Sequence, residues 1–184
     1  GQARLRCLSA PGNIADFEPG QILRALEAHH VQYVVIGAIA AIAAGAPILT
    51  TDIDVTPSRT RENLERLALA LRDLEAKLRS ASAPDGVPFP IEAEMLATAD
   101  SWTLATRAGD VDLMFLPAGT QGYDDLRTGA SRERIAGIVV SVASLADVIR
   151  SKEAANREKD SMQLPILRRT LEQTRERGRE RPGR

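Results

Sequence analysis

Tyr33-Val34-Val35-Ile36-Gly37-Ala38 and, about fifteen residues further on, Thr50-Thr51-Asp52-Ile53-Asp54-Val55 are two β-rich runs separated by small residues. The first belongs to the β-branched stretch Val31 to Ile36, which predicts a buried strand closing at Gly37. Ala38 to Ala44 has the composition of a short helix, and Gly45 with Pro47 stops it. Thr50 to Pro57 alternates with a period of two. Asp52, Asp54 and Thr56 fall on one face of the predicted strand, Ile53 and Val55 on the other.

Two carboxylates side by side on a strand face repel each other and lose hydration if buried. A divalent cation between them relieves both costs, and hard oxygen ligands favour Mg²⁺ or Mn²⁺. The other reading of the pair is a solvated end of an edge strand. Asp112 bears on the choice. It lies inside Val111-Asp112-Leu113-Met114-Phe115-Leu116, where a carboxylate is expensive without a partner. Asp110 shares its side by period two and could equally be an exposed turn residue. If this strand neighbours 52–56, three carboxylates converge, as two-ion activation of an attacking oxygen on a triphosphate requires. Gly37, at the strand–helix junction, can offer free backbone N–H groups to phosphate oxygens.

The rest of the chain bounds the chemistry. Its 184 residues suit one domain with a sizeable core. A net charge of -1 from 24 basic and 25 acidic residues excludes a uniformly basic nucleic-acid coat, though not a local positive groove. One cysteine, Cys7, excludes an intrachain disulfide framework and a cysteine-based zinc site, and His29 with His30 are the only histidines. Gly1 to Ala10 carries no secretory pattern. Val31 to Thr51 is charge-free, but its glycines, proline and alanines read as a buried strand and a packed helix rather than a membrane span. The expected location is the cytoplasm.

Around these runs the pattern predicts a helix over 19–29 and a leucine-periodic helix over 60–79. A loop is expected at 80–90, strands at 101–106 and 111–116 with a turn at Ala108-Gly109, and mixed loop and short helix over 119–129. A further strand is expected at 138–142. Ser144 is a candidate cap for a helix to about Ser151, and a last helix over 157–177 contains Pro165. The expected organisation is an irregular segment 1–20, one domain over 21–176 and a disordered basic tail 177–184. The alternation of helix and strand argues for an α+β (mixed α/β) domain with a small mixed sheet flanked by helices.

Only three lysines stand against 21 arginines, and two of them, Lys152 and Lys159, lie seven apart with Arg150 and Arg157 beside them. On a continuous helix they share a face and could neutralise a triphosphate; the other reading is a solvated basic surface. Arg59 and Arg61, just past the Asp52–Asp54 strand, are candidates to reach an incoming acceptor. The seven arginines of 168–184 could trail along a phosphate backbone or keep a tail soluble. Aromatic residues are too scattered for a base-stacking platform, and Tyr33, Trp102 and Phe115 read as core.

Tyr33 to Ala38, Thr50 to Val55 and the Leu145–Asp160 segment together resemble the nucleotidyltransferases of the DNA polymerase β superfamily. They are most similar to the minimal AbiEii-like and MenT-like toxins of bacterial toxin–antitoxin pairs, over roughly residues 30–165. The resemblance implies a polymerase-β-type core. It places a phosphate-cradling turn at Gly37 and Ala38 and metal ligands at Asp52, Asp54 and Asp112. It also places phosphate-site cations at Lys152, Arg157 and Lys159, with Asp160 orienting them. It further implies Mg²⁺ or Mn²⁺, a nucleoside triphosphate as substrate, the 3′ end of tRNA as acceptor and a cognate antitoxin as partner. The family turn usually reads Gly-Ser or Gly-Gly, so Ala38 is a departure that supplies no hydroxyl. A protein hydroxyl as acceptor, a catalytically degenerate nucleotide- or partner-binding protein, and a metal-dependent nuclease are the rival functions.

Overall fold

The computed structural model describes residues 17–179, which build an eight-stranded mixed sheet with helices packed on it. In chain order the elements begin α1 (Pro19–Ala28), β1 (Tyr33–Ile36), α2 (Gly37–Ala43), β2 (Asp52–Pro57) and α3 (Arg61–Asp73). They continue β3 (Lys77–Ser80), β4 (Ala83–Val87), α4 (Ala93–Leu96), β5 (Ser101–Thr106), β6 (Gly109–Met114) and α5 (Tyr123–Thr128). The last are β7 (Ser131–Ile135), β8 (Ile138–Val142), α6 (Leu145–Ala155) and α7 (Glu158–Arg179). The strand order is β4-β3-β5-β6-β2-β1-β8-β7.

The centre of the sheet sorts its side chains by parity. Ile53 and Val55 of β2, Val111 and Leu113 of β6 and Leu104 of β5 are fully or almost fully buried. So are Ile22, Leu23 and Leu26 of α1 and Leu67 and Leu71 of α3. Alternate positions on the same strands carry Asp52, Asp54, Asp110, Asp112 and Thr103, so one sheet face builds the core and the other bears polar groups. Asn63 ties α3 to this frame. Its amide donates to the carbonyls of Gln32 and Ser58, and its Oδ1 accepts from the Gln32 N–H.

Three expectations are corrected. The helix over 60–79 ends at Asp73, because the chain reverses through Glu75 in the left-handed region at φ 54°. Leu74 and Leu78 are four apart, a spacing that fits a strand's period as well as a helix's. The loop over 80–90 is largely the hairpin of β3 and β4. Pro84 is tolerated there because β4 is an edge strand and needs no further ladder donor. Finally, Lys152 and Lys159 do not share one helix. Asn156 at φ 47° ends α6, and α7 begins at Glu158.

Other expectations hold with shifted ends. Ser144 caps α6 by accepting from the Asp147 N–H, and α7 runs unbroken through Pro165. β7 was not expected, since Ser-Arg-Glu-Arg-Ile shows no apolar alternation; it is the opposite edge of the sheet. Residues 177–179 continue α7, while 180–184, Cys7 and the segment 1–16 lie outside the described residues. No helix among the described residues is long and apolar enough to cross a membrane, and the charge-free stretch divides into β1, α2 and a loop.

Candidate active site

β2 and β6 are parallel neighbours, with Asp52 opposite Asp110 and Asp54 opposite Asp112. Register partners project from the same face, so the carboxylates of the two strands converge. Burial, then the charges of Asp52 and Asp112, push the Asp54 carboxyl up to about 7, while Lys152 and Lys159 pull it down. Asp112 is also raised, first by burial and then by Asp52, with Thr103, Arg79 and Lys159 opposing. Asp52 is steadied by a hydrogen bond from the Thr50 hydroxyl.

Gly37 closes β1 with φ +67°, a conformation that L side chains rarely adopt. A Cβ at this position would lie 1.9 Å from Asp54 Oδ2, so only glycine lets the turn approach the carboxylate. Gly37 and Ala38, the start of β2, Lys152, Arg157, Lys159 and Asp160 together line a cleft of about 370 Å³. Lys152 Nζ lies 2.7 Å from Asp160 Oδ1, and both side chains are largely buried. Arg157 and Lys159 are exposed at the cleft's edge. The break at Asn156 therefore brings the two lysines to one cleft from two helices.

Sequence reasoning missed Ser151, which is buried and lines the same cleft. Thr50 and Thr51 line it too, so hydroxyls border the cleft although Ala38 brings none. The only signal for Ser151 is adjacency to Lys152. The acceptor candidates Arg59 and Arg61 both take part in surface ion pairs. Arg59 pairs with Asp100 and covers the Phe115 ring, and Arg61 pairs with Glu65 and Glu94. Both follow the far end of β2, about 20 Å of extended chain from Asp52. Asp110 is neither a free turn residue nor a fourth open ligand, because Arg79 Nη1 sits 3.0 Å from its Oδ2.

Among the described residues no three His, Cys, Asp or Glu side chains are drawn into a ready-made metal cage. The donor set nonetheless suits a hard divalent ion. Asp112 Oδ1 is buried without a hydrogen-bond partner, and burial followed by repulsion from Asp52 and Asp112 raises Asp54. A cation satisfies the first and relieves the second.

Among solved structures the chain is similar to the lincosamide antibiotic adenylyltransferase LnuA, in a lincomycin-bound structure. The TM-score is 0.57 at 13% identity, covering 85% of this chain and 98% of that one. It is also similar to ANT(2″)-Ia in complex with adenylyl-2″-tobramycin, with TM-score 0.55, 16% identity and coverage of 85% and 90%. A third is a Thermotoga maritima protein assigned as a nucleotidyltransferase, with TM-score 0.51, 18% identity and coverage of 84% and 91%. No family model and no curated protein matches the chain. The chain shares the fold of these three solved proteins, a mixed α+β architecture with its sheet flanked by helices.

Proposed function

We propose that this chain is a metal-dependent nucleotidyltransferase that moves a nucleoside monophosphate from a nucleoside triphosphate to a hydroxyl acceptor. The observation that carries the reading is the convergence of Asp52, Asp54 and Asp112 on one sheet face beside a turn only glycine can make. Lys152 and Lys159 line the same cleft.

Asp52, Asp54 and Asp112 are the residues that would hold Mg²⁺ or Mn²⁺, which when bound supplies charge neutralisation for the triphosphate and the developing transition state. The chain's own groups do the rest. Backbone N–H groups at Gly37 and Ala38, with Ser151 and Thr51, bind phosphate oxygens. Lys152, held by Asp160, and Lys159 with Arg157 at the rim stabilise the charge that builds on the departing pyrophosphate. Asp112 faces the acceptor hydroxyl and receives its proton as the oxygen bonds to the α-phosphorus. The bond from that phosphorus to pyrophosphate breaks in line.

The acceptor in this reading is the 3′ end of tRNA, which makes the chain a toxin of the AbiEii-like or MenT-like kind, acting in the cytoplasm and held in check by an antitoxin. The support is the resemblance of residues 30–165 to that family. Incubation with each α-³²P-labelled nucleoside triphosphate, Mg²⁺ and total bacterial tRNA tests it, with Asp52→Ala as control. Label on tRNA that the variant loses is the expected result. Label on a protein instead replaces the acceptor. Nucleotide binding without any label points to a degenerate site, with Ala38 its first suspect. Cleaved RNA with no pyrophosphate released identifies a nuclease.

A further inference from the structure

The charged and backbone groups of the cleft answer to a triphosphate, and part of its lining is left over. Leu49, Met114, Ala155 and Gln163 line it as well and carry no charge. Leu49 is 84% exposed, the most exposed large apolar side chain among the described residues. It stands three residues before Asp52, an interval that extended chain covers in about 10 Å. A leucine left in water at the mouth of a polar cleft is an apolar surface with nothing yet packed on it.

Gln163 is the other unengaged group. It follows Lys159 by four residues and Asp160 by three on α7, so it shares their helix face about one turn further on. Its neighbours are occupied: Asp160 holds Lys152, and the Ser161 hydroxyl donates to the Arg157 carbonyl. The Gln163 side chain is half-buried at the cleft and makes no hydrogen bond to any described residue.

A side-chain amide is neutral and presents a donor beside an acceptor. Phosphate oxygens offer acceptors only and ask for cations, which the cleft supplies in Lys152, Arg157 and Lys159. A nucleobase has instead an apolar face and an edge where donors and acceptors lie side by side. No aromatic ring lines the cleft, so an aliphatic side chain is what that face can pack on.

We propose that Leu49 and Gln163 form the nucleobase subsite of this cleft: Leu49 packs on the face of the base, and Gln163 bonds its polar edge and selects which base is held. The inference deepens the nucleotidyltransferase reading and rests on it for the identity of the ligand. Both residues reach the cleft from segments that also carry its reactive groups, the approach to β2 and α7. An aliphatic face is indifferent to which base it meets, whereas an amide meets a different edge on each. Affinity and selectivity therefore divide between the two residues.

The test is calorimetric titration of the full chain with the four α,β-methylene nucleoside triphosphates in Mg²⁺. Inorganic tripolyphosphate serves as the probe without a base. The wild type should hold one base at least about tenfold tighter than another. Gln163→Leu, which keeps a good helix former on α7, should flatten that ranking to within about threefold. Gln163→Glu exchanges the donor for a second acceptor and should move the ranking away from uracil, which offers no amino group. Leu49→Ser should weaken all four about tenfold and preserve the ranking. Tripolyphosphate should bind Gln163→Leu and Leu49→Ser as it binds the wild type. The subsite is overturned by a ranking that Gln163→Leu leaves unchanged, by a wild type that gains nothing from any base over tripolyphosphate, or by equal weakening of tripolyphosphate in those two variants. Labelled nucleotide reaching an acceptor alongside any of these leaves the transferase reading standing. A ranking altered by the variants, in a chain that transfers nothing, keeps the subsite and removes the reaction.

Discussion

Gly37 and Asp54 approach so closely that a single methyl group at position 37 would overlap the carboxylate, lying 1.9 Å from Oδ2. The turn that ends β1 and the strand that carries the acidic pair are thus one unit, and neither can move without the other. Gly37→Ala would have to shift Asp54 and hold alanine at φ +67°. The expected outcome is a loss of nucleotide transfer of roughly 100-fold or more, as an ångström of misplacement can cause. The melting temperature should fall by a few degrees. Single-turnover kinetics with labelled nucleotide and a thermal melt check both.

Asp52→Ala and Asp112→Ala should each abolish transfer by roughly 10³-fold or more, the loss that follows when several kcal/mol of transition-state stabilisation disappear. Neither should unfold the protein, because removing one of several repelling carboxylates relieves strain on the rest. Circular dichroism alongside the transfer assay separates the two effects.

Asp54 predicts a pH dependence of stability. Its carboxyl is raised from 3.8 to about 7, mainly by burial and then by Asp52 and Asp112, so the folded chain holds a proton that the unfolded chain has released. Stability from this group is therefore present at low pH and is lost as pH rises from about 4 through 7. Asp54→Asn should melt close to the wild type at pH 4.5 and a few degrees above it at pH 8, in ion-free buffer. Adding Mg²⁺ to the wild type near pH 7 should release protons, seen by calorimetry in buffers of different ionisation heat.

The Lys152–Asp160 pair predicts strong coupling. Lys152→Met would leave the Asp160 carboxylate buried with no cation, at a cost of about 3–5 kcal/mol. Combining it with Asp160→Leu should recover much of that stability while transfer stays lost. A double-mutant cycle by urea unfolding measures the coupling, and independent, additive losses would contradict it.

Asn63→Ala should destabilise the protein by about 2–4 kcal/mol, since the Gln32 N–H and the Ser58 carbonyl lose their partner and the Gln32 carbonyl keeps only the Ser58 N–H. Nucleotide affinity should hold, because this clamp sits at the end of β2 away from the carboxylates. Urea unfolding and calorimetric titration test the two halves.

Local order was legible where one period governed the residues. The alternation in Asp52 to Val55, the glycine after Ile36 and the apolar run around Asp112 describe their own strands. Each follows from contacts between near neighbours in the chain. The helix over 61–73 was legible for the same reason, and its end was not. Leu74 and Leu78 satisfy both helical and strand periods, so only the reversal at Glu75 distinguishes them. β7 and β4 are edge strands, whose charged or proline-bearing sequences avoid the pattern by which buried strands are recognised.

By itself the sequence determined which residues are costly to bury, and so marked Asp52, Asp54, Asp112 and Gly37 as candidates. Tertiary structure alone decided that β2 and β6 lie side by side in the register that pairs Asp54 with Asp112. It alone brought Lys159 to the same cleft as Lys152 across a helix break. It also set Arg59 and Arg61 on surface ion pairs past the far end of β2 and paired Arg79 with Asp110. These are relations between residues distant in the chain. Strand order and register are chosen by the packing of the opposite, apolar face, so the polar face inherits a geometry that its own residues do not encode.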